Sequence, residues 1–508
     1  MRDALARYGH EITSLPVNLA AALLEAAARA PDRPALLTPT GAFAHGALAA
    51  RVHALGRLVP PDARVAIVSG NRPEFVVAYL ATLAGGGVAV PLNPAAPAHE
   101  LARELTVVDP ALVLATPEDA DLVRRACARG AITPAFETIS WDAPDVDAAP
   151  ASGAPIVERA PSDLAVLLFT AGTAGAPKAA MLTHGSLLAN IEQMQHHEGL
   201  RVHADDVVLG ALPFFHVFGL NVVLGVALHA GACVSLVEHF HPVETLARLR
   251  SDRVSIVGGV PAMYAAWASI GEPRDAFSGV RLCVSGAAAL PSDVAGAMRE
   301  RFGVAVHEGY GLTEASPVVS TSAIEREPRP GSIGPPLPGI DVRLVDADGN
   351  DVLEGDPGEV HVRGPNVFAG YWRDPDATAR VLTGDGWLRT GDIAVAERDG
   401  WLTLVDRAKD VIIVSGFNVF PGEVEDAIAD HPDVAEVAVV GEPHPRTGET
   451  VVAYVVAAGD RRPDPVELLR HAGRRLARYK LPTRLEVVEE LPRSFTGKLL
   501  RRALTDPG

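Results

Sequence analysis

The chain has little cysteine and no cysteine spacing that would suggest a structural role. Its 508 residues include three cysteines, Cys127, Cys233 and Cys283. Because they are odd in number and widely separated, neither a disulfide framework nor a cysteine-based metal site is expected. A reducing compartment, and so a cytoplasmic location, fits this usage.

Positive charge is also scarce. The chain carries 45 Lys and Arg against 63 Asp and Glu, for a formal net charge of −18. Nucleic-acid binding requires clustered basic residues to neutralise phosphates, so no nucleic-acid partner is predicted. The pairs Arg461–Arg462, Arg474–Arg475 and Arg501–Arg502 are interpreted as solvated helix faces.

An export signal is not apparent, because charges interrupt residues 1–15 where a signal peptide needs an apolar core. Residues 207–237 contain no Asp, Glu, Lys or Arg and would be long enough to span a bilayer. They include Pro213, His216, Asn221 and several glycines, and basic anchors do not flank them. We therefore predict a buried segment that walls an apolar pocket; peripheral membrane contact stays open.

The most informative stretch is LFTAGTAGAPKAAMLTHG, residues 168–185. A strand-like run, Leu164–Phe169, leads into a loop of Gly, Ala and Thr that ends in Pro177 and Lys178. Glycines let backbone N–H groups converge on an anion, hydroxyls add donors, and a lysine adds fixed positive charge. The spacing differs from the G-x-x-x-x-G-K-[ST] pattern of a Walker A loop. The stretch predicts a loop of another kind that binds the phosphates of a nucleotide.

The length predicts two or more domains. Over the first 300 residues, strand-like and helix-like runs alternate, which favours parallel sheets covered by helices. The predicted strands are Arg64–Val68, Val88–Val90, Val254–Val257, Val280–Val284 and Val304–His307. Helices are predicted at Pro73–Ala84, from Pro261, and from about Pro291 to Phe302, where Gly303 ends the helix.

The pattern changes near Pro328. Between residues 342 and 404, short strands are joined by Asp-Gly turns, which are typical of a small antiparallel sheet or barrel. A compact α+β unit follows Asp406. Its predicted strands are Val411–Val414, Val437–Val440 and Val451–Val456, and its predicted helices are Pro421–Ala429 and Pro465–Tyr479.

Seven further strings follow the phosphate loop in a fixed order. They are LPFFHVFGL (212–220), SGAAAL (285–290), GYGLTE (309–314), GSIGPPLPG (331–339), WLRTGD (387–392), DRAKDVIIVSGFNVFPGEVE (406–425) and LPRSFTGKLLRR (491–502). Together the strings resemble those of the adenylate-forming superfamily, which includes acyl-CoA synthetases, and SGFNVFP is similar to its CoA-using members. The resemblance covers almost the whole chain.

The resemblance implies an α/β large N-terminal domain, with two parallel-type helix-covered sheets and a small antiparallel β-barrel. It also implies a small mobile α+β C-terminal domain. The expected bounds are 1–408, with the β-rich part at about 328–405, and 409–508, with the hinge at Lys409. The implied reaction is ATP-dependent: a carboxylate attacks the α-phosphate to give acyl-AMP and pyrophosphate, and CoA then displaces AMP. ATP, Mg²⁺ and coenzyme A are the implied cofactors and co-substrates, and a homodimer is compatible with the chain.

The family's motifs imply a role for each matching residue. Glu314 would hold Mg²⁺, Thr313 would touch the α-phosphate, and Lys498 would bridge the substrate carboxylate and the α-phosphate. The nucleotide phosphates would lie on Thr170, Gly172, Thr173, Gly175 and Lys178. The adenine would lie between Gly286, Ala287 and Ala288 on one face and Gly309, Tyr310 and Gly311 on the other. Ribose and phosphate oxygens would contact Asp392 and Arg407.

Rotation about Lys409 after adenylation would withdraw Lys498 and bring Gly416, Phe417 and Asn418 to the thiol channel. His216 is expected where the acyl pocket meets that channel, although a lone histidine in apolar surroundings is commonly a core residue. His184 is interpreted as structural. Alanines at 171, 174 and 179 replace the Ser, Thr and Gly of the usual phosphate loop, which predicts an active enzyme with weakened ATP affinity.

The expected acyl pocket consists of residues 214–221, 258–260, 286–288, 309–311 and 318–319, which include no Lys or Arg. A monocarboxylic acid is implied, with a medium- or long-chain fatty acid first and an aromatic acid second. An acyl-AMP ligase that loads a carrier protein would share the first step, and so would a luciferase-like oxidation. A non-enzymatic acyl-binding protein is disfavoured because such a protein has no use for Lys498.

Overall fold

The computed structural model describes residues 18–141, 156–170, 177–270, 273–324, 327–329, 331–407, 410–414, 417–493 and 499–505. The chain divides into two compact units. The larger comprises the residues up to Val342 together with Val362–Arg389, and the smaller comprises Arg343–His361 and Thr390–Gly508.

Two helix-covered sheets form the larger unit. Its strands are β1 (Pro34–Thr38), β2 (Gly41–Ala44), β3 (Arg64–Val68), β4 (Val88–Leu92), β5 (Leu112–Ala115), β6 (Ala135–Thr138), β7 (Leu164–Thr170), β8 (Lys178–Thr183), β9 (Val207–Gly210), β10 (Cys233–Leu236), β11 (Ile256–Gly259), β12 (Leu282–Ser285), β13 (Val306–Gly311), β14 (Val318–Thr321) and β15 (Ser332–Gly334). One sheet has the order β6-β5-β3-β4-β7-β8, and the other has the order β14-β13-β12-β11-β9-β10-β1-β2.

Most neighbouring strands are parallel, as the alternating pattern predicts, and antiparallel pairs stand at sheet edges: β1–β2, β7–β8 and β13–β14. Strands with continuous apolar runs, such as β4 and β5, are buried along their whole length. This is what a strand covered by helices on both faces requires. Both sheets are therefore mixed, with mainly parallel interiors.

The helices of the larger unit are α1 (Leu19–Arg29), α2 (His45–Gly56), α3 (Pro73–Ala84), α4 (Ala98–Val108), α5 (Ala120–Gly130), α6 (His184–His196), α7 (Val226–Ala230), α8 (Pro242–Ser251), α9 (Pro261–Ile270), α10 (Ser292–Phe302) and α11 (Pro375–Val381). A π-helix, Phe218–Gly225, leads directly into α7. The predicted bounds of α3 are confirmed, and Gly303 ends α10 in a left-handed conformation with φ +71°.

The uncharged segment 207–237 folds into β9, the π-helix, α7 and β10, and most of its residues are buried. This confirms the predicted interior position. Over the described part of the chain, none of the helices combines the length and apolar character that crossing a bilayer would need.

The smaller unit and the strands leading into it contain β16 (Asp341–Val345), β17 (Gly358–Arg363), β18 (Leu388–Ala396), β19 (Leu402–Arg407), β20 (Ile412–Val414), β21 (Phe417–Val419), β22 (Val434–His444), β23 (Gly448–Ala457) and β24 (Arg484–Val488). The predicted β-rich part is a sheet in which β19, β18, β17 and β16 are successive neighbours. The Asp-Gly turns at residues 349, 386 and 400 have glycine φ values of +84°, +85° and +88°, as such turns require.

The last part of the chain packs α12 (Pro421–Ala429) and α13 (Pro465–Ala472) against β20–β24, and α14 (Arg502–Thr505) follows. The predicted helix Pro465–Tyr479 is wrong at its end. Gly473 follows the last helical residue, and glycine costs about 1 kcal/mol relative to alanine inside a helix. Residues 473–477 instead turn towards a short 3₁₀ helix, Arg478–Lys480.

Candidate active site

The predicted phosphate loop is the tip of a β-hairpin. Thr170 ends β7, Lys178 begins β8, and the two residues lie opposite each other in the antiparallel register. Gly172, Thr173 and Gly175 lie outside the described residues. A strand therefore follows this loop, whereas in a Walker A loop a helix does. That phosphates bind to loop N–H groups, hydroxyls and Lys178 stays a prediction.

Beside Lys178 the structure places a residue that the sequence analysis missed. The Lys178 Nζ lies 5.3 Å from the ring centroid of Tyr371, within the range of a cation–π contact. The Tyr371 hydroxyl donates a hydrogen bond of 2.6 Å to Oε1 of Glu314. One tyrosine thus joins the end of the phosphate hairpin to the predicted metal ligand. The sequence signal that could have pointed to Tyr371 is the string FAGYW at 368–372, in which two aromatic residues follow a glycine.

The Tyr371 hydroxyl is held in its protonated form. The side chain is 8% exposed, and burial, followed by the charge of Glu314 and its hydrogen bond to the hydroxyl, raises the pKa of Tyr371 far above its usual value. Tyr371 therefore acts as the donor and Glu314 as the carboxylate acceptor.

Backbone contacts hold Glu314 and Tyr371 in this arrangement. Glu314 lies in a 3₁₀ turn, Thr313–Ala315, and its carbonyl accepts a hydrogen bond from the N–H of Phe368 at 2.9 Å. Asn366 Nδ2 donates to the carbonyl of Ala315 at 2.8 Å. Thr313, the predicted α-phosphate contact, precedes Glu314 in the same turn.

The donor set fits a nucleotide-bound magnesium ion better than a metal held by protein alone. Among the described residues, groups of three or more His, Cys, Asp or Glu side chains suited to a metal do not occur. Mg²⁺ in ATP-using sites is commonly held by one or two carboxylates plus phosphate oxygens. Glu314 is a partly buried carboxylate with one oxygen fixed by a hydroxyl, which suits this pattern.

The predicted adenine contacts lie at one edge of the larger sheet. Parallel strands β12 and β13 end side by side, which brings the loop after Ser285 next to Gly309, Tyr310 and Gly311. An added Cβ at Gly286 would lie 3.4 Å from the carbonyl oxygen of Gly309. The sheet therefore brings together the two strings that the sequence separates by 18 residues.

A hydrogen bond to the neighbouring strand β13 helps to fix the loop of residues 285–290. The buried Glu308 carboxylate accepts a hydrogen bond from the N–H of Leu290 at 3.1 Å. Ala287 has φ +69°, a left-handed conformation that alanine rarely adopts, and Ala287 and Ala288 are both exposed. Strained residues of this kind cluster at ligand sites.

Some residues of the predicted acyl pocket lie next to one another. The ring of Phe218 lies against the ends of β11 and β12: an added Cβ would be 3.7 Å from it at Gly258 and 3.0 Å at Gly286. Other residues of the predicted lining serve packing. Phe214 packs at a tilt against Phe75 with ring centroids 5.5 Å apart, and Asn221 Nδ2 donates to the carbonyls of Leu187 and Ser316.

His216 lies just before the π-helix and next to the ring of Phe215, at 4.7 Å between centroids. Burial lowers the pKa of His216 to about 4, so the imidazole is neutral at pH 7. His184, interpreted as structural, is fully buried, and its Nδ1 accepts a hydrogen bond from the N–H of Leu19 at 3.1 Å.

Gly219 lies so close to neighbouring backbone that a side chain would not fit there. A substitution at this position therefore tests the packing of the segment 207–237. An added Cβ would lie 2.2 Å from the carbonyl oxygen of Pro213 and 2.7 Å from that of Leu212. Gly219→Ala should lower the free energy of unfolding by about 1–3 kcal/mol, the usual cost of overpacking. Gly296 lies in α10 with nothing within 4 Å of an added Cβ, so Gly296→Ala should raise it by about 0.5–1 kcal/mol. Denaturant titration would measure both; equal effects would contradict the packing of this segment.

In the smaller unit, Asp392 and Arg407 lie opposite each other on β18 and β19. Asp392 is largely buried, and its N–H donates to Oγ1 of Thr390 at 3.1 Å. Thr390 Oγ1 in turn donates to the carbonyl of Val360 at 2.8 Å. The two predicted ribose and phosphate contacts are thus neighbours on one antiparallel pair of strands.

Phe417 begins β21, is 57% exposed and packs on the ring of Tyr479, with centroids 4.9 Å apart. Asn418 lies opposite Ile413 on β20. The predicted hinge Lys409, the predicted channel residue Gly416 and the predicted catalytic Lys498 lie outside the described residues.

Comparisons with known proteins identify the family of the chain. Residues 23–372 match the model of the AMP-binding enzyme family, and residues 423–498 match the model of the AMP-binding enzyme C-terminal domain. A long-chain-fatty-acid–CoA ligase of Bacillus subtilis (strain 168) is 34% identical over 477 residues, covering 87% of this chain and 85% of that protein. A feruloyl-CoA synthase of Amycolatopsis sp is 38% identical over 445 residues, covering 87% and 88%. The crystal structure of ATP-bound MatB from Rhodopseudomonas palustris superposes with a TM-score of 0.89 at 32% identity, covering 96% and 98%.

Proposed function

Because the chain belongs to the AMP-binding enzyme family and is an acyl-CoA synthetase of the adenylate-forming superfamily, we propose that it activates a medium- or long-chain fatty acid. The acid is first converted to acyl-AMP with release of pyrophosphate, and the acyl group is then transferred to CoA with release of AMP. The observation that carries the proposal is the placement of Lys178, Tyr371 and Glu314 together at the end of the phosphate hairpin.

In the first half-reaction an anionic carboxylate must approach an anionic phosphate, so the site has to supply positive charge and hydrogen-bond donors. Lys178 and the loop between Thr170 and Lys178 would hold the β- and γ-phosphates. Glu314 would hold Mg²⁺, which neutralises phosphate charge when bound, and Thr313 would contact the α-phosphate. Lys498 would contact the acid and the α-phosphate together.

The nucleoside would be bound by the residues that the family's motifs assign to it. Gly286, Ala287 and Ala288 would lie on one face of the adenine, and the 309–311 segment on the other. Asp392 would accept hydrogen bonds from the ribose hydroxyls, a role that suits a carboxylate. Arg407 would contact ribose or phosphate oxygens.

In the second half-reaction the proposed C-terminal domain, residues 409–508, would rotate about Lys409. The rotation would withdraw Lys498 from the adenylation site. It would bring Gly416, Phe417 and Asn418 to the thiol channel. Neutral His216 would lie where acid and thiol meet, where an uncharged imidazole does not compete with Lys498 for the carboxylate.

The lining around Phe218 supports an uncharged acyl group. Gly258 and Gly286 lie next to this ring, and an apolar lining discriminates against a second carboxylate, whose desolvation would be unfavourable. The fatty-acid ligase of Bacillus subtilis is consistent with an aliphatic chain. An aromatic acid is the second candidate, because the Amycolatopsis relative is a feruloyl-CoA synthase.

A substrate panel tests the proposal. Purified protein with ATP, Mg²⁺ and CoA should convert medium- and long-chain fatty acids to acyl-CoA with stoichiometric AMP, because apolar chains bury well in this lining. Mass spectrometry of the thioester and enzymatic assay of AMP measure the outcome, with ferulic and benzoic acids as the aromatic arm.

The panel separates the alternatives. Aromatic thioesters alone would replace the fatty-acid assignment by an aromatic-acid–CoA ligase. Acyl-AMP without acyl-CoA, but with transfer to an added carrier protein, would indicate a carrier-loading ligase. The absence of AMP and pyrophosphate with every acid would overturn the ligase function itself.

A further inference from the structure

The hydroxyl of Tyr371 makes a contact to which the proposed function assigns no role. Tyr371 is 8% exposed, and the hydroxyl contacts Glu314 while the ring faces Lys178. A buried tyrosine hydroxyl commonly bonds to a nearby backbone carbonyl; here its partner is a carboxylate. This partner choice separates Tyr371 from an ordinary core tyrosine such as Tyr264, whose hydroxyl donates to the carbonyls of Val257 and Val284.

The backbone around Tyr371 is fixed from two sides. On one side the segment pairs with β8: Tyr371 bridges Ala180, and the N–H of Trp372 donates to the carbonyl of Ala179 at 2.8 Å. On the other side the N–H of Tyr371 donates to Oγ1 of Thr378 in α11 at 2.9 Å. The ring position is therefore set by the same strand that carries Lys178.

The alanine at position 179 belongs to this support. Ala179 is 1% exposed and lies in the core cluster beneath the six-stranded sheet. Its carbonyl accepts the Trp372 hydrogen bond, so the strand keeps its contact with the tyrosine segment although the usual glycine is replaced. The support for Tyr371 thus does not depend on the residues at the loop tip.

We propose that Tyr371 is a positioning residue for the magnesium–nucleotide complex: its hydroxyl fixes Oε1 of Glu314, and its ring fixes the ammonium group of Lys178. The inference rests on the proposed role of Glu314 as the Mg²⁺ ligand. A carboxylate with one oxygen bound to a tyrosine loses rotational freedom, so its other oxygen is pre-oriented for the cation. Side chains that support a metal ligand in this way typically change metal affinity or activity about 10–100-fold when removed.

Two substitutions separate the two contacts. Tyr371→Phe removes the hydroxyl and keeps the ring beside Lys178. It should raise the Mg²⁺ concentration for half-maximal adenylation about tenfold and leave the KM for the acid unchanged. Tyr371→Leu removes hydroxyl and ring together and should in addition raise the KM for ATP.

A binding measurement supplies a readout that does not require turnover. Mn²⁺ titrated into the protein with a non-hydrolysable ATP analogue, followed by electron paramagnetic resonance, should bind about tenfold more weakly to Tyr371→Phe than to the native chain. Tyr264→Phe is the matched control: it deletes the same atom from another buried tyrosine and should lower the melting temperature without moving the Mn²⁺ affinity.

The double variant distinguishes positioning from a general loss of structure. In a Glu314→Gln background, Tyr371→Phe should cause no further loss of Mn²⁺ affinity, because its effect passes through the carboxylate. An equal loss in both backgrounds, or a folded Tyr371→Phe with native metal affinity, would overturn the inference. A native chain that binds Mn²⁺ and the ATP analogue but forms no acyl-CoA would instead contradict the proposed function and leave the metal measurement valid.

Discussion

Replacement of Lys498 by alanine is expected to lower the rate of acyl-adenylate formation about 100- to 1000-fold, the usual loss when a group that stabilises transition-state charge is removed. Transfer of the acyl group from supplied acyl-AMP to CoA should keep its native rate. The reason is that the lysine neutralises charge only while the carboxylate attacks the α-phosphate. Pyrophosphate release measures the first half-reaction, and thioester formation from synthetic acyl-AMP measures the second.

The rates of the two half-reactions, measured in this one variant, serve as controls for each other. Because the same protein preparation is assayed in both half-reactions, a folding defect would lower both rates together. Equal loss of the two half-reactions in a protein with native melting behaviour would argue against a C-terminal unit that changes position between them. Lys498→Arg keeps the charge with a different shape and should retain part of the adenylation rate.

The second large effect is expected at Glu314. Glu314→Gln keeps the shape and the Tyr371 contact but removes the negative charge, so Mg²⁺ loses its protein ligand beside the phosphates. The rate of adenylation at a subsaturating Mg²⁺ concentration should fall about 100- to 1000-fold. Initial rates of pyrophosphate release over a range of Mg²⁺ concentrations provide the measurement.

Two comparisons make the Glu314 result specific. Glu100→Gln removes a charge from the exposed face of α4 and should leave adenylation unchanged. If excess Mg²⁺ gave Glu314→Gln the native maximal rate, the carboxylate would act in metal binding alone. A native Mg²⁺ dependence in this variant would contradict the assignment of Glu314 as the metal ligand.

Much of the fold followed from local sequence chemistry. The helices Pro73–Ala84 and Pro421–Ala429 have the predicted bounds because proline at the first helical position marks each start. The bounds of the predicted strands were found within about four residues, and the Asp-Gly turns are present as predicted. The end of α13 was missed because the apolar pattern continues past Gly473 while the glycine favours a turn.

The residues of the candidate site also fall into two groups, those in local sequence strings and those defined by long-range contacts. Residues inside family strings, such as Glu314 and Asp392, could be named from the sequence because the strings are specific. Lysine was an unusually clear marker: the chain has four lysines, and three of them, Lys178, Lys409 and Lys498, stand in those strings. Tyr371 could not be named, because its importance arises from a contact between strand and loop segments far apart in sequence.

The π-helix at Phe218–Gly225 was missed for a different reason. Its period differs from the 3.6-residue repeat used to read helices, and every residue in it is uncharged, so no polar face reveals its orientation. Such wide turns are frequent at functional sites. The π-helix begins two residues after His216, whose role at the meeting point of acid and thiol stays a prediction.

The hairpin form of the phosphate loop has a consequence for how this enzyme can vary. Both loop ends are held by the ladder of β7 and β8, with Thr170 opposite Lys178 and Phe169 opposite Ala179. Ala179, which replaces the usual glycine, is therefore part of the sheet and of its buried core. A substitution at position 179 would act on the stability of the sheet as well as on the proposed phosphate loop.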